Sequence, residues 1–583
     1  MSADPPATAT AADRPPRSAP EGDAPSRPTP RRWRPAPIHR VRDLEPRDLR
    51  IFVGIVVVLG LLPILSAVVV LTQGWRPSGD NALIGLRARD VLTGHLPLVG
   101  QPSTGENFGS GVESNHPGPI EFYVIAPFRA VLGASVGLAV GAAAINAAAL
   151  VAIGWLSFRR GHLPLLGISA FASLLLVRSL GGNFLHDPLS SNVGALMALA
   201  LLFACWSIVA GDLRTLPLFV AIGSFTLQDH LSFLGTGAPV VLLAVGVGTW
   251  WLARIRRRAS DTTWVRPTLA WSVGLAAIVW LPVALDQLFG SHNLTAIFQT
   301  FTTGDGEPSG LGFGGGRLAE ALAPWPIFMR KVAVLGWLHT PSTVELVTGY
   351  LVLVVVVGLG VVAWRRLRTD LTAMVVVVAF AALSGLYTAI NLPDGAGVKA
   401  ANLRWMWTVS AFAWIALAWL AWELMPRFAR EVVGVPAAGF GAVATFVLLL
   451  SVVSSIELST DRDGLLAKDI TRLTGNVERE LARGTYRVTY EGGPVVLSIG
   501  PALVHDLEQR GDRVYLDIGP FTRAYGEHRE FDDQPIDGTI FVTTEAATAY
   551  PEGTKLLARQ TVRVNANDEE TQTVRVYLQT GEP

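Results

Sequence analysis

Residues 51–72 read IFVGIVVVLGLLPILSAVVVLT, an apolar stretch that contains no charged side chain. A helix needs roughly 20 such residues to cross the hydrocarbon core of a bilayer. Comparable stretches follow at 134–157 and 163–180, and more of them continue as far as residue 456. The sequence therefore predicts a multi-pass α-helical membrane protein.

The charge of the connecting loops indicates how these helices are oriented. Eleven stretches are predicted to span the membrane: 51–72, 134–157, 163–180, 193–210, 215–234, 237–253, 267–289, 343–363, 371–391, 405–424 and 435–456. Every second loop is short and rich in arginine, namely FRRGH, GDLR, RIRRRASDTTWVR, WRRLRTD and MPRFARE. Because loops rich in Lys and Arg stay on the cytoplasmic side, we predict a plasma-membrane protein with a cytoplasmic N-terminus and an extracytoplasmic C-terminus.

The overall composition excludes several other classes of protein. Half of the residues are apolar (50%) and only 16% are charged, whereas about 25% are charged in an average soluble chain. Lys+Arg and Asp+Glu both number 47, so 47 − 47 leaves no net charge and no field that would attract nucleic acid. The single cysteine, Cys205, can neither close an internal disulfide nor build a Cys-based metal site.

Composition divides the chain into three parts. Residues 1–50 are rich in Pro, Ala and Arg and are predicted to form a disordered cytoplasmic tail. Residues 51–456 form the membrane domain, and 457–583 are predicted to be a small extracytoplasmic α+β domain. In the third part DGLLAKDITRLTGNVERELARG has the pattern of an amphipathic helix, and five segments have that of strands: YRVTY, PVVLSIG, RVYLDIG, GTIFVTT and TVRVYLQ.

The first outer loop, residues 73–133, has the pattern of structure rather than of a simple connection. Asp80 precedes NALIGLRARDVLTG, which has apolar residues at helical spacing, and PIEFYVIAPFRAVLG is apolar but too short to span. We predict that both lie as helices in the outer interface, where they would bracket a surface site open to a lipid tail. The structural alternative for Asp80 is an N-cap of the first of these helices.

Further polar candidates are predicted on the same face, and polar groups near membrane depth are costly enough to indicate function. They are His116, His186, Asp187, Gln228, Asp229, His230, Lys399 and Arg404. Structural alternatives remain for five of them: His116 can belong to a turn with Pro117, Asp187 can cap a turn, Asp229 and His230 can form a buried pair, and Arg404 can anchor the interface beside Trp405.

These residue types limit the chemistry. Asp80 and Asp187 could divide the work of a general base and of orienting a substrate, and Arg404, Lys399, Arg87 or Arg89 could hold a phosphate. The three histidines could bind a leaving phosphate or a divalent ion. Their spacing matches no metal motif, so no metal ligands are assigned and a divalent metal cofactor stays open. GLGFGGGR at 310–317 follows no predicted strand, and we interpret it as a flexible lid.

Two segments resemble a known superfamily. SGDNALIGLRARDVLTGHLPL and NHPGPIEFYVIAPFRAVLG are similar to segments of the GT-C polytopic glycosyltransferases. NHPGPIEFYVIAPFRAVLG resembles the His/Lys-Pro-Pro-Leu-Tyr-Tyr pattern of the protein-mannosyltransferase-like and aminoarabinose-transferase-like branch. Here Pro117-Gly118 stands where that branch has Pro-Pro, and Asp80 is followed by Asn81 rather than by an acid.

The resemblance implies an inverting sugar transfer from a polyprenyl-phosphate donor to an envelope glycan, lipid or protein acceptor. By this resemblance Asp80 activates the acceptor and Asp187 is a second acidic position. His116, His186, Asp229, His230, Lys399 and Arg404 would bind the substrates.

Two other functions remain compatible with the sequence. One is a transporter or flippase of lipid-linked precursors, and the other is a non-catalytic envelope scaffold with a partner-binding outer domain. Transporters often have repeated halves, which the sequence lacks, and the polar candidates gather at one face. These two features favour a reaction at the surface.

Overall fold

The computed structural model describes residues 38–580 apart from 104–111, 259–261, 304–306, 332–337, 394–398, 457–461, 492–493, 518–521, 545–552 and 564–570. All of the described residues belong to one compact unit, Pro35–Pro583. Residues 1–37 of the predicted tail at 1–50 are not among the described residues. The first long helix begins within that predicted tail, at Pro46.

Helices account for nearly all of the first 456 residues. In chain order they are α1 (Pro46–Thr72), α2 (Gly79–Thr93), α3 (Ile120–Leu132), α4 (Ala134–Leu180), α5 (Ser190–Val209), α6 (Leu216–Asp229), α7 (Leu231–Arg258), α8 (Val265–Phe289), α9 (Asn293–Thr303), α10 (Gly310–Leu322), α11 (Thr343–Arg365), α12 (Thr369–Ile390), α13 (Trp405–Leu424) and α14 (Arg427–Val453). Among the described residues, nine helices are long and apolar enough to cross a membrane. The multi-pass helical fold predicted from the sequence is confirmed.

Two helices explain the difference between nine such helices and the eleven predicted spans. Helix α4 has 47 residues but is interrupted at Gly161 and His162, where His162 has φ +58°, so it contains two of the predicted spans. Helix α6 has only 14 residues and ends at Asp229, because His230 has an extended backbone. The predicted span 215–234 is therefore wrong in its length, since the helix stops before residue 230.

The loops predicted to lie outside meet at one end of the bundle. The backbone N–H of Gly118 donates to the carbonyl of Gln228 at 3.1 Å. At the same end the N–H of Asn115 donates to Oδ1 of Asn293 at 2.7 Å. These contacts join loops that are more than a hundred residues apart in the sequence.

The arginine-rich loops meet at the opposite end. Nη2 of Arg159 donates to Oδ1 of Asp212 at 2.9 Å, and Nε1 of Trp206 donates to the carbonyl of Asp370 at 2.8 Å. The arginine-rich loops and the loops between them alternate along the sequence, and in the structure the two kinds lie at opposite ends of the bundle.

The C-terminal part contains a mixed five-stranded sheet with helices against it. The strands are β1 (Thr485–Glu491), β2 (Arg513–Leu516), β3 (Gly538–Thr543), β4 (Thr554–Arg563) and β5 (Thr571–Gln579), and the helices are α15 (Arg462–Glu480), α16 (Pro494–Arg510) and α17 (Thr522–Tyr525). The order is β2-β1-β3-β5-β4. β1 runs parallel to both of its neighbours, and β5 is antiparallel to β3 and β4.

The structure corrects two interpretations of short segments. PVVLSIG, predicted as a strand, is the first half of helix α16. Its continuation ALVHDLEQR favours a helix, and its apolar residues pack into the core of the domain. GLGFGGGR, interpreted as a lid, forms most of helix α10, whose last nine residues are buried.

Helix α2 joins the membrane domain to the C-terminal domain. Ile84 and Ala88 belong to the core of the helical bundle, whereas Leu83 and Leu86 belong to the core of the C-terminal domain. A short helix with apolar residues on two faces can pack against both domains. The position of α2, and of Asp80 within it, therefore depends on both domains.

Candidate active site

Asp187 is the most firmly held of the candidate residues. It lies in the loop between α4 and α5, where Oδ1 accepts from Nδ2 of Asn81 at 2.9 Å and from the N–H of Leu189 at 3.0 Å. Oδ2 accepts from Nδ2 of Asn192 at 2.8 Å. Burial raises the pKa of Asp187, and these three hydrogen bonds oppose that shift. Because both oxygens are bonded, the carboxyl group has a fixed orientation.

Asp80 lies beside this carboxylate, in the first turn of α2. It is the second residue of that helix, and Ser78 occupies the N-cap position. The predicted alternative, an N-cap role for Asp80, is therefore wrong. The side chain is exposed, yet desolvation by the surrounding protein, followed by the charge of Asp187, raises the pKa of Asp80. An accessible carboxylate with a raised pKa has the properties of a general base.

Arg404 precedes α13 and is completely buried. Its guanidinium carbon lies 5.2 Å from the centre of the Trp407 ring, and the carboxyl group of Asp187 is close enough to interact with it electrostatically. Among the described residues, however, none of its three nitrogens has a hydrogen-bond partner. A buried guanidinium in this state is costly, and an anionic ligand would satisfy it.

Two further carboxyl groups are buried without full hydrogen bonding. Both oxygens of Asp229 and Oε1 of Glu121 have no partner among the described residues, and both side chains are 3% exposed. A Cβ at Gly194 would lie 2.5 Å from Oδ2 of Asp229, so the glycine lets α5 approach that carboxyl group. Burial, followed by the charges of Asp229 and Asp187, raises the pKa of Glu121 well above its usual value.

Glu121 was missed in the sequence analysis. The available signal was an acidic residue at the second position of α3 within an otherwise apolar segment. Such an acid is expensive near a membrane and usually has a functional reason.

His116 and His230 form a pair next to Asp229. Their ring centres are 4.2 Å apart, and Nδ1 of His116 accepts from the N–H of Leu231 at 3.3 Å. Burial, followed by the charge of His230, lowers the pKa of His116 well below its usual value. His116 is therefore neutral, and it can contribute a hydrogen bond but not a positive charge.

The side chain of His186 contacts α1 rather than this group, and the substrate-binding role of Lys399 stays a prediction. Nδ1 of His186 is 2.9 Å from Oγ of Ser66 on α1, and its ring meets Trp75 edge to face at 6.0 Å. Burial lowers the pKa of His186 to about 3, which indicates a neutral residue that packs the loop onto α1. Lys399 is half-buried at the start of the short 3-10 helix Ala400–Leu403.

Arg87 and Arg89 lie on α2 but do not serve as phosphate ligands. Nη1 of Arg87 donates to Oδ2 of Asp90 at 2.9 Å, and Nη1 of Arg89 donates to Glu508 of the C-terminal domain. Their charges are used in the interface between the two domains.

In the part of the chain that the structure describes, no group of three or more His, Cys, Asp or Glu side chains is arranged to hold a metal ion. The unpaired carboxyl groups Glu121 and Asp229 are near the neutral His116 and His230, but they do not form a recognisable ligand set.

Known proteins resemble this chain in fold only. No protein-family model matches it, and no curated protein sequence matches it. Its fold is similar to that of ArnT from Cupriavidus metallidurans bound to undecaprenyl phosphate, with 11% identity and a TM-score of 0.48 over 90% of this chain and 97% of that one. The apo state of ArnT gives 10% identity, the same TM-score of 0.48 and the same coverage of 90% and 97%.

Another similar structure is the archaeal oligosaccharyltransferase AglB from Archaeoglobus fulgidus, in complex with an inhibitory peptide and a dolichol-phosphate. It has 10% identity and a TM-score of 0.40 over 85% of this chain and 69% of that one.

Proposed function

We propose that this protein is a membrane glycosyltransferase that moves a sugar from a polyprenyl-phosphate donor to a hydroxyl acceptor at the outer face. One observation carries the proposal. At a single end of the bundle, the buried cation Arg404 lacks any described hydrogen-bond partner and interacts electrostatically with Asp187, and Asp187 interacts in the same way with the accessible Asp80. A site of this kind can bind an anion and take up a proton.

The anion that suits Arg404 is the phosphate of the donor. A guanidinium binds phosphate oxygens through two parallel, charge-assisted hydrogen bonds. The stacking of Arg404 on Trp407 orients the group without using its N–H donors. Such a ligand would offset the cost of burying the arginine, and its lipid tail would lie among the apolar helices.

Asp80 is the proposed general base. The acceptor oxygen forms a bond to the anomeric carbon of the donor while the bond from that carbon to the phosphate oxygen breaks. The phosphate leaves with the electron pair, stabilised by Arg404, and the acceptor proton passes to Asp80. Attack opposite the leaving group inverts the anomeric configuration. Because phosphate is already a good leaving group, the protein mainly positions the partners and stabilises charge.

Asp187 is the proposed orienting residue between these two groups. Its oxygens are occupied by Asn81, Leu189 and Asn192, so it is less suited to accept a proton than Asp80. After desolvation, its negative charge contributes to the raised pKa of Asp80.

The setting is proposed from the loop charges and the resemblance. The arginine-rich loops support a cytoplasmic position for the end opposite the site. The reaction would then occur on the outer face of the plasma membrane, with the domain at 457–583 outside and the tail at 1–50 inside. The acceptor would be a glycan, lipid or protein of the envelope.

The test uses the full-length protein reconstituted in liposomes. Synthetic polyprenyl-phosphate mannose, glucose and arabinose are supplied with an envelope extract as acceptor, and the released polyprenyl phosphate is measured by mass spectrometry. We expect the wild type to release carrier from at least one donor. Asp80→Asn should reduce the rate roughly 10²–10⁴-fold, the usual contribution of a general base.

Asp532→Asn is the matched control, because Asp532 is exposed on the C-terminal domain, away from the site. It should retain the wild-type rate, and both variants should have the wild-type melting temperature. An Asp80→Asn variant as active as the control would contradict the mechanism. Movement of intact donor across the vesicle membrane without release of carrier would instead support transport.

A further inference from the structure

An apolar groove lies at the end of the bundle opposite the candidate active site. It is formed by the end of α5, the start of α6 and the cytoplasm-predicted ends of α7 and α8, and it encloses about 150 Å³. Its walls include Leu213, Leu252, Trp264 and Val245. Val245 is 48% exposed, so the groove opens on the outer surface of the bundle.

The two polar side chains in this groove do not make it polar. Oγ1 of Thr249 donates to the carbonyl of Val245 at 2.8 Å. Oγ1 of Thr268 donates to the carbonyl of Trp264 at 2.7 Å. Since both hydroxyl groups are satisfied within their own helices, the walls offer no site for water. Walls of this kind favour an apolar ligand over water.

The rim of the groove carries an arginine held by an aromatic ring. The guanidinium carbon of Arg214 lies 5.1 Å from the centre of the ring of Trp264, which lines the groove. Arg256 and Arg266 are exposed on the adjacent turns. A guanidinium stacked on an indole keeps its N–H edge available for phosphate oxygens.

Described carboxylates do not neutralise this rim. Asp212, which directly precedes the groove-lining Leu213, is bound by Arg159. Glu423, at the same end of the bundle, is bound by Arg368. In the described part of the chain, Arg214, Arg256 and Arg266 have no carboxylate partner. The groove therefore combines a dry apolar cleft with a positive rim.

We propose that this groove binds an anionic glycerophospholipid of the cytoplasmic leaflet. One acyl chain would occupy the cleft, and the headgroup phosphate would lie between Arg214 and Arg266. Basic pockets between transmembrane helices on the cytoplasmic side recognise anionic lipids in this way. A second copy of this chain suits the groove less well, because a symmetric contact would bring the same arginines together.

The test is native mass spectrometry of the full-length protein in mixed micelles with equal amounts of phosphatidylglycerol and phosphatidylcholine. We expect the wild type to retain phosphatidylglycerol in preference to phosphatidylcholine. Loss of two arginines in the double variant Arg214→Gln/Arg266→Gln should reduce this preference about 30-fold, the effect expected for two cations near an anionic lipid.

Two further variants make the result specific. Arg365→Gln/Arg366→Gln removes two exposed arginines at the same end of the bundle, the last residue of α11 and its C-cap, and should keep the wild-type preference. Val245→Trp fills the cleft without changing the charge and should abolish retention of the lipid.

Equal retention of both lipids by the wild type would overturn the proposal. Equal loss in the control would also overturn it, because the arginines of this end would then act only as a general positive surface. A protein dimer that Val245→Trp dissociates, with no bound lipid, would assign the groove to a second copy instead. None of these measurements depends on the enzymatic activity of the reconstituted protein.

Discussion

The two ends of helix α2 use acidic side chains in opposite ways. Asp80 in the first turn is exposed and neighbours the unpaired cluster at the outer end of the bundle. Asp90 in the last turns is completely buried. Arg529 of the C-terminal domain donates to both oxygens of Asp90, from Nη2 to Oδ1 at 2.8 Å and from Nη1 to Oδ2 at 2.9 Å. Nη1 of Arg87 also donates to Asp90, at 2.9 Å.

The pairing at the Asp90 end extends further into the C-terminal domain. Arg529 also donates from Nε to Oε1 of Glu508 at 2.6 Å, and from Nη2 to Oε2 at 2.9 Å. Each carboxylate in this network therefore faces arginines on two sides. By contrast, the hydrogen-bonding atoms of Arg404 and Asp229 have no partner among the residues described.

The comparison separates structural from functional burial of charge. A fully bonded buried network fixes one arrangement of the chain, and here it attaches α2 to the C-terminal domain. Buried polar atoms without partners are rare in native proteins and require an explanation. At the Asp80 end the proposed substrate would supply that explanation, because its phosphate and hydroxyl groups would complete the missing interactions.

The largest expected effect is on stability, at the paired end. Arg529→Met leaves Asp90 and Glu508 buried without their main cation, so the free energy of unfolding should fall by about 3–5 kcal/mol. Thermal unfolding of the purified protein measures this change. Arg513→Met, at an exposed position on β2, is the control and should unfold like the wild type. An Arg529→Met variant as stable as the control would show that the network does not hold the domains.

The next effect is on turnover, at the unpaired end. Arg404→Met should lower the rate of sugar transfer roughly 10²–10³-fold, the usual effect of losing one donor that stabilises a leaving anion. It should not lower the melting temperature, since it removes a buried charge that lacks hydrogen bonds. Liposome transfer assays and thermal unfolding measure the two quantities.

Arg160→Met is the matched control for Arg404→Met. Arg160 is also buried, and none of its three nitrogens has a hydrogen-bond partner among the described residues. It lies at the opposite end of the bundle, 5.4 Å from the centre of the Trp206 ring. Its variant should retain most of the activity. Equal losses in both variants would mean that any buried arginine of the bundle is needed, and the comparison would fail.

The helical fold could be predicted from the sequence because its signals are local. Apolar stretches of about 20 residues and arginine-rich loops are each visible without knowledge of distant residues. Helices α2 and α3 were predicted from the same kind of local pattern, and their position in the membrane interface stays a prediction. The wrong predictions concern segments whose secondary structure depends on their length or their surroundings. PVVLSIG has β-branched residues near its start, which favour a strand, but it belongs to the 17-residue helix α16.

The site could be predicted only in part, because it depends on contacts between distant residues. The loops suggested Asp80, Asp187, Asp229 and Arg404 by their position, and their roles stay proposals. The bond from Asn81 to Asp187 spans 106 positions, and the pairing of Asp90 with Arg529 spans 439. No periodicity encodes such contacts, so Arg87 could not be distinguished from a phosphate ligand by sequence alone.

The smallest expected effect is a shift in pH dependence that tests the link between the two outer carboxylates. The charge of Asp187 contributes to raising the pKa of Asp80, after desolvation. A general base must be deprotonated, so kcat/KM should rise with pH through this raised pKa. Asp187→Asn removes the negative charge, and the acidic limb of the kcat/KM profile should therefore move to lower pH. Because desolvation remains, the limb should stay above the usual range of an aspartate.

Asp532→Asn should leave the limb in place, and an unmoved limb in Asp187→Asn would show that Asp80 is not the titrating base.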